Sequence, residues 1–160
     1  MARSALDVYL NDHLGGSTFG LELAKQIRDR SKGTALGQVM TTIVAEIEED
    51  RETLLALMEQ LGTQKSALKQ AVTWVAEKAS RVKFSGATSG GSEVGRFLAL
   101  ETLMLGITGK LALWTALAEI AAEHPPLQSA DLDRLIARAR SQRDVLEAER
   151  LAAARRVLAR

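Results

Sequence analysis

Phe97-Leu-Ala-Leu-Glu-Thr-Leu-Met-Leu-Gly-Ile-Thr-Gly-Lys-Leu-Ala-Leu-Trp-Thr-Ala-Leu-Ala118 is apolar on nearly every face and carries two charges, Glu101 and Lys110. A helix greasy all round is either buried inside a protein or spans a membrane. The nine Leu, Ile and Phe residues between Phe97 and Leu117 each favour insertion by about 0.5 kcal/mol. Lys110 near the middle opposes insertion by about 3 kcal/mol, and Glu101 adds more. The balance is near zero or unfavourable, and no second span accompanies it. A buried helix is therefore expected, with no transmembrane segment, and any charge kept inside it must be paired or functional.

Outward from this stretch the composition agrees. The chain has 160 residues, few aromatics and much Ala and Leu, which is the palette of close-packed helices rather than sheets. That length suits a single domain over residues 1–160 that buries roughly 70% of its unfolded surface without staples. The net charge of +1 gives no overall field that would gather nucleic acid. The absence of cysteine excludes disulfides, thiolate metal sites and cysteine nucleophiles. The sequence Met1-Ala-Arg-Ser-Ala-Leu-Asp7 contains no apolar signal core, so a cytoplasmic location is expected.

Punctuation divides the chain into five helices. The first starts at Ser4, where Asp7 completes a capping-box pair, and stops before Gly33. A second runs from Thr34 to Leu61, with Gly62 where a left-handed cap is wanted. A third is expected over 66–83, followed by a flexible Gly/Ser-rich loop at 84–92. The fourth runs from Ser92 to His124, before Pro125-Pro126. The fifth begins at Ser129 and extends through residue 160, packing on the bundle or on a second subunit. Gly15, Gly16 and Gly20 in the first helix, and Gly106 and Gly109 in the fourth, suggest close helix–helix approach. A kink at Gly15-Gly16, with Ser17 recapping the chain, is the alternative. The fold class is all-α: an antiparallel four-helix bundle with an additional long C-terminal helix.

Helical wheels place a few polar residues inward. His13 lies on the line of Leu6, Leu10, Leu21, Ala24 and Ile27. Glu46 and Asp50 fall within the arc of Leu36, Val39, Ile43, Ile47, Leu54, Leu57 and Leu61. Glu101 shares a face with Phe97, Leu98, Met104, Leu105 and Thr108. Reflection through the turns puts His13, Asp50 and Glu101 in one layer, with Glu46 about one turn (roughly 6 Å) away. One imidazole and three carboxylates suit iron, manganese or zinc; a buried polar network using Tyr9 and Arg51 fits the same residues.

Lys110 lies on the opposite face, with Leu103, Ile107, Trp114 and Leu117, so this helix is expected to be covered twice. Lys110 should reach an end of the bundle and pair with an acid. On the fifth helix, Arg140 with Asp144 and Arg143 with Glu147 read as i,i+4 pairs on a solvated face. Trp74 and Trp114 read as packing residues.

Inward carboxylates and a histidine on long helices resemble the ferritin-like superfamily. Tyr9-Leu-Asn-Asp-His13, Glu46-Ile-Glu-Glu-Asp-Arg51, Trp74-Val-Ala-Glu-Lys78 and Leu105-Gly-Ile-Thr-Gly-Lys-Leu-Ala-Leu-Trp114 look like blocks from a small bacterial group of such bundles. The resemblance implies a fold more than an activity, because no Glu-x-x-His is present and the second-to-third connection is short. The expected function is non-catalytic, through a homodimer or another protein partner, using the fourth helix's second face or the fifth helix. The alternative is a degenerate ferritin-like metal protein with iron or manganese on His13, Glu46, Asp50 and Glu101. Peripheral contact of the arginine-rich fifth helix with nucleic acid or membrane is a third, weaker reading.

Overall fold

The structure is a computed structural model that describes residues 4–63 and 93–159. The helix expected over 66–83, with Trp74 and Glu77, and the loop at 84–92 lie outside the described residues. Within the described residues the protein is an all-α helical bundle without strands. Helix α1 spans Ala5–Arg30, α2 Ala35–Gln60, α3 Glu93–Glu119, α4 Pro125–Gln128 and α5 Leu132–Leu158. A 3-10 turn at Ala121–Glu123 joins α3 to α4.

Local chemistry sets these ends. Asp7 N–H donates to Ser4 Oγ at 3.0 Å, and Ser4 N–H donates to Asp7 Oδ2 at 3.1 Å, so the capping box opens α1 as expected. After Gln60, Gly62 takes φ +70°. Its N–H donates to Glu59 O, and Thr63 N–H donates to Met58 O, which satisfies the last carbonyls of α2. The far end of the chain differs from expectation. Helix α3 stops at Glu119, five residues before His124, and α5 is capped by Asp131, whose Oδ1 accepts from Arg134 N–H. Ser129 does not cap it because its hydroxyl donates to Pro126 O at the end of α4. Pro125 and Pro126, at the first positions of α4, suit a helix start where the N–H is not needed.

The α1–α2 turn is tight. Gly33 takes φ +78°, a conformation that glycine enters without steric cost. Ser31 O accepts from both the N–H and the hydroxyl of Thr34, and Thr34 Oγ1 in turn caps Gly37 N–H. A Cβ on Gly37 would lie 2.2 Å from Ser31 O, so a side chain there forces the turn open.

Two apolar clusters form the core. One joins Leu10 and Leu14 of α1 to Leu54 and Leu57 of α2, Leu113, Trp114 and Leu117 of α3, and Leu135 and Ala139 of α5. The other joins Leu23, Ala24 and Ile27 to Met40, Ile43 and Ile47, Leu100, Leu103 and Ile107, and Leu146 and Ala153. This pairing of early with late residues makes α1 antiparallel to α2 and to α3, and α5 antiparallel to α3. Helix α5 therefore packs on the bundle along α3.

The core face of α3 carries Leu103, Ile107, Trp114 and Leu117, the line that also holds Lys110. The face expected to turn inward with Glu101 is the outer one: Leu105 is 63% exposed and Val94 is 48% exposed. An all-round apolar helix cannot reveal by periodicity which side faces in. By length and composition alone α3 could cross a membrane.

Substituting Gly37→Ala should lower the urea midpoint and cost about 1–3 kcal/mol. Gly106→Ala, where no atom of the described residues lies within 4 Å of the added Cβ, should instead stabilise by up to about 1 kcal/mol. Equal effects of the two in urea unfolding would contradict the close approach at Ser31.

Candidate functional site

Between the two apolar clusters lies a polar layer. Asp50 sits between Ile47 and Leu54 on α2, Lys110 between Ile107 and Leu113 on α3, and Gln142 between Ala139 and Leu146 on α5. Asp50 is 2% exposed, and Lys110 Nζ donates to its Oδ2 at 2.6 Å. Arg138 Nη2 stands 2.8 Å from Asp50 Oδ1 as an ion pair, without a hydrogen bond directed at that oxygen. Lys110 also donates to Gln142 Oε1, and Gln142 Nε2 donates to Glu46 Oε2 at 2.8 Å. On the outer side Arg138 holds Glu49 through two bonds of 2.8 and 3.1 Å, and Arg134 adds a third.

The electrostatics follow from that chain. Burial lowers the Lys110 ammonium from its ordinary value, opposed by the Asp50 charge. Glu49, held first by Arg138 and then by Arg134, is depressed to about 2, and Arg138 is raised chiefly by Glu49. Two buried cations thus share one buried carboxylate with a surface glutamate behind it. Such an arrangement fixes geometry more than it adds stability, because desolvation offsets most of the Coulomb gain.

The bonds of this layer run through α2, α3 and α5. Helix α1 meets the same level with glycine. Gly16 and Gly20 of α1 face a cavity of about 360 Å³ that is also lined by Gly106 and Gly109 of α3. Phe19, Leu23, Leu103, Ile107, Leu113 and Trp114 form its apolar walls, and Asp50, Arg51 and Lys110 its polar side. No atom of the described residues lies within 4 Å of the position a Cβ would take at Gly16, Gly20, Gly106 or Gly109. Toward the described helices these glycines therefore leave space open, and the expected close approach is absent at these four among the described residues. Nor does α1 break: it is continuous through Gly15-Gly16, and Ser17 donates to Leu14 O rather than recapping the chain.

The chain matches no family model, no curated protein and no solved structure. Its site is therefore read from its own geometry.

The residues picked out as ligands part company. Asp50 is at the centre of the polar layer, and half-buried His13 lines the cavity with it. The His13 ring meets Tyr9 edge-on at 4.6 Å, and burial lowers its pKa against the raising effect of Asp12. Glu46 is taken by Gln142. Glu101 is drawn to α5, where Arg150 Nη1 donates to it at 3.1 Å. Among the described residues no three His, Asp or Glu side chains converge as a metal set. Lys110 does pair with an acid, but at mid-bundle and not at an end. The expected i,i+4 partners on α5 also change: Arg143 turns to Asp144, and Glu147 takes Arg150.

Arg138 and Gln142 were not singled out from the sequence. Arg138 stands among the many arginines of the fifth helix, yet its side chain is only 12% exposed. The signal was available for Gln142, three residues after Ala139 and four before Leu146, squarely on the apolar line of α5.

Replacing Asp50→Asn leaves Lys110 without its carboxylate and Arg138 with Glu49 alone, and should cost about 3–5 kcal/mol. Lys110→Met should cost less, since Arg138 still neutralises Asp50. Urea unfolding of the two variants gives the order, and a larger loss for Lys110→Met would refute this account of the layer.

Proposed function

We propose that this chain is a non-catalytic helical-bundle protein that works by holding a small, largely apolar molecule in the cavity between α1, α2 and α3. The observation that carries the reading is the set of four helix-interior glycines around one space. Each costs up to about 1 kcal/mol relative to alanine, so together they forgo roughly 3–4 kcal/mol. That is a large share of a domain's net stability of about 5–15 kcal/mol. A cavity of about 360 Å³ is within the usual range for small-molecule sites, roughly 300–1,000 Å³. The polar groups at the wall support holding rather than chemistry: Lys110 is bound by Asp50 and Gln142, and the Ser17 hydroxyl by Leu14 O.

A ferritin-like origin for the bundle is consistent with its long packed helices and inward acid. Its metal chemistry is the weaker proposal, because Glu46, Asp50 and Glu101 are engaged by Gln142, Lys110, Arg138 and Arg150. A second reading, self-association into a dimer, draws on the outer strip of α3, where Val94, Leu98 and Leu105 fall on one line and Leu105 is 63% exposed.

The neutral fluorophore 1-aminoanthracene should bind the wild type saturably, one molecule per chain. Gly109→Leu should weaken that binding by roughly tenfold or more, about 1.4 kcal/mol, without lowering the unfolding midpoint. Saturable binding that Gly109→Leu leaves intact would remove the cavity from consideration.

Sedimentation equilibrium tests the second reading. The wild type should show a dimer that Val94→Glu dissociates, and a wild type monomeric at all concentrations would end that reading.

A further inference from the structure

Resting on the reading of the cavity as a binding site, we infer that its ligand is a carboxylate-bearing amphiphile, of the class of medium-chain fatty acids. Two donor groups at the cavity wall lack acceptors among the described residues. Trp114 is 1% exposed and lines the cavity, and its indole Nε1 is buried without an acceptor among the described residues. Arg51 lines the same space. Among the described residues its Nε is also buried without an acceptor, and its Nη2 makes a 3.4 Å contact to Thr18 Oγ1. Both are obligate donors. Buried donors are normally paired, so a ligand that completes this site supplies acceptor oxygens.

Charge selects among acceptors. The Asp50 carboxylate at the wall is already compensated by Lys110 and Arg138, and Asp12 is exposed to solvent, which screens it. The Arg51 guanidinium has no carboxylate partner among the described residues. Its planar fork fits a carboxylate better than a single hydroxyl. His13, whose pKa burial lowers, adds a further polar edge to the same wall.

Shape sets the remainder. The walls are Phe19, Leu23, Leu54, Leu103, Ile107 and Leu113, with bare backbone at the glycines, so the body of the ligand is hydrocarbon. A cavity of about 360 Å³ lies in the usual range of small-molecule sites, with room for a hydrocarbon chain of medium length. An unbranched acid of that length satisfies charge, polarity and volume together, whereas a neutral hydrocarbon leaves both donors unpaired.

The test is calorimetric titration of the full chain with dodecanoate below its micellar concentration, and with dodecanol as the neutral match. Dodecanoate should bind one to one. Arg51→Gln should weaken it by roughly tenfold or more while dodecanol binding changes little, and Gly109→Leu should weaken both. Trp114→Phe should weaken dodecanoate without changing its stoichiometry. Urea curves for each variant separate lost binding from lost folding. Equal affinity for acid and alcohol, or indifference to Arg51→Gln, would overturn the carboxylate assignment. Binding of 1-aminoanthracene without binding of dodecanoate would overturn this inference and leave the cavity reading standing, and binding of neither would overturn both.

Discussion

The ion pair between Asp50 and Lys110 is the constraint around which the rest is arranged. A carboxylate that is 2% exposed cannot remain ionised in an apolar core without a cation at bonding distance. Lys110 and Arg138 supply it from two different helices. Because the three groups come from α2, α3 and α5, their contact fixes the relative heights of those helices. A slip of one turn along any of them, about 5.4 Å, would leave a buried charge alone. The apolar clusters on either side tolerate sliding far better, being built of Leu, Ile, Met and Ala with no directional bonds. The polar layer thus acts as a register pin, a role in which buried polar groups are best attested.

The same layer explains why the open space lies where it does. On the α5 side the acids and bases of the core meet Arg138, Gln142 and Glu49, and the level is filled with bonded side chains. On the α1 side the sequence supplies Gly16 and Gly20, and α3 answers with Gly106 and Gly109. A Cβ at any of these would meet no atom of the described residues, so the described helices do not demand glycine there. The consequence is asymmetry: one flank of the polar layer is sealed by hydrogen bonds, and the other opens into an apolar pocket. An apolar pocket beside a compensated ion pair presents two faces to a ligand, hydrocarbon walls and a strip of donors.

Several of these features are legible in individual residues. Ser4 with Asp7, Thr34, and Gly62 mark the ends of α1 and α2 because capping is a local matter of one side chain and the next three backbone amides. Asp50 is legible as buried because it interrupts a regular apolar line at helical spacing. Lys110 is legible as paired, since a charge in an apolar stretch has few other options. Ser129 misleads because Asp131, two residues on, competes for the same role. The short α4 between them depends on Leu127 packing into the core, a tertiary contact. Glu101 misleads for a different reason. On a helix apolar all round, the wheel offers two equivalent cores, and only the helices that arrive from elsewhere choose between them.

Sequence alone therefore determined the four long helices α1, α2, α3 and α5, the caps of α1 and α2, the all-α class and the presence of acid and base inside an apolar core. Those are properties of spacing along one strand of chain, governed by hydrogen bonds and hydrophobicity within a few residues. Tertiary structure decided which acid meets which base, which face of α3 turns inward, and that its glycines create space. Those outcomes depend on distances between helices. Gly106 looks the same in sequence whether a neighbouring helix presses against it or stands back from it. Arg138 reads as one more surface arginine until α2 brings Asp50 within 2.8 Å of it, and burial then turns a solvated charge into the anchor of the layer.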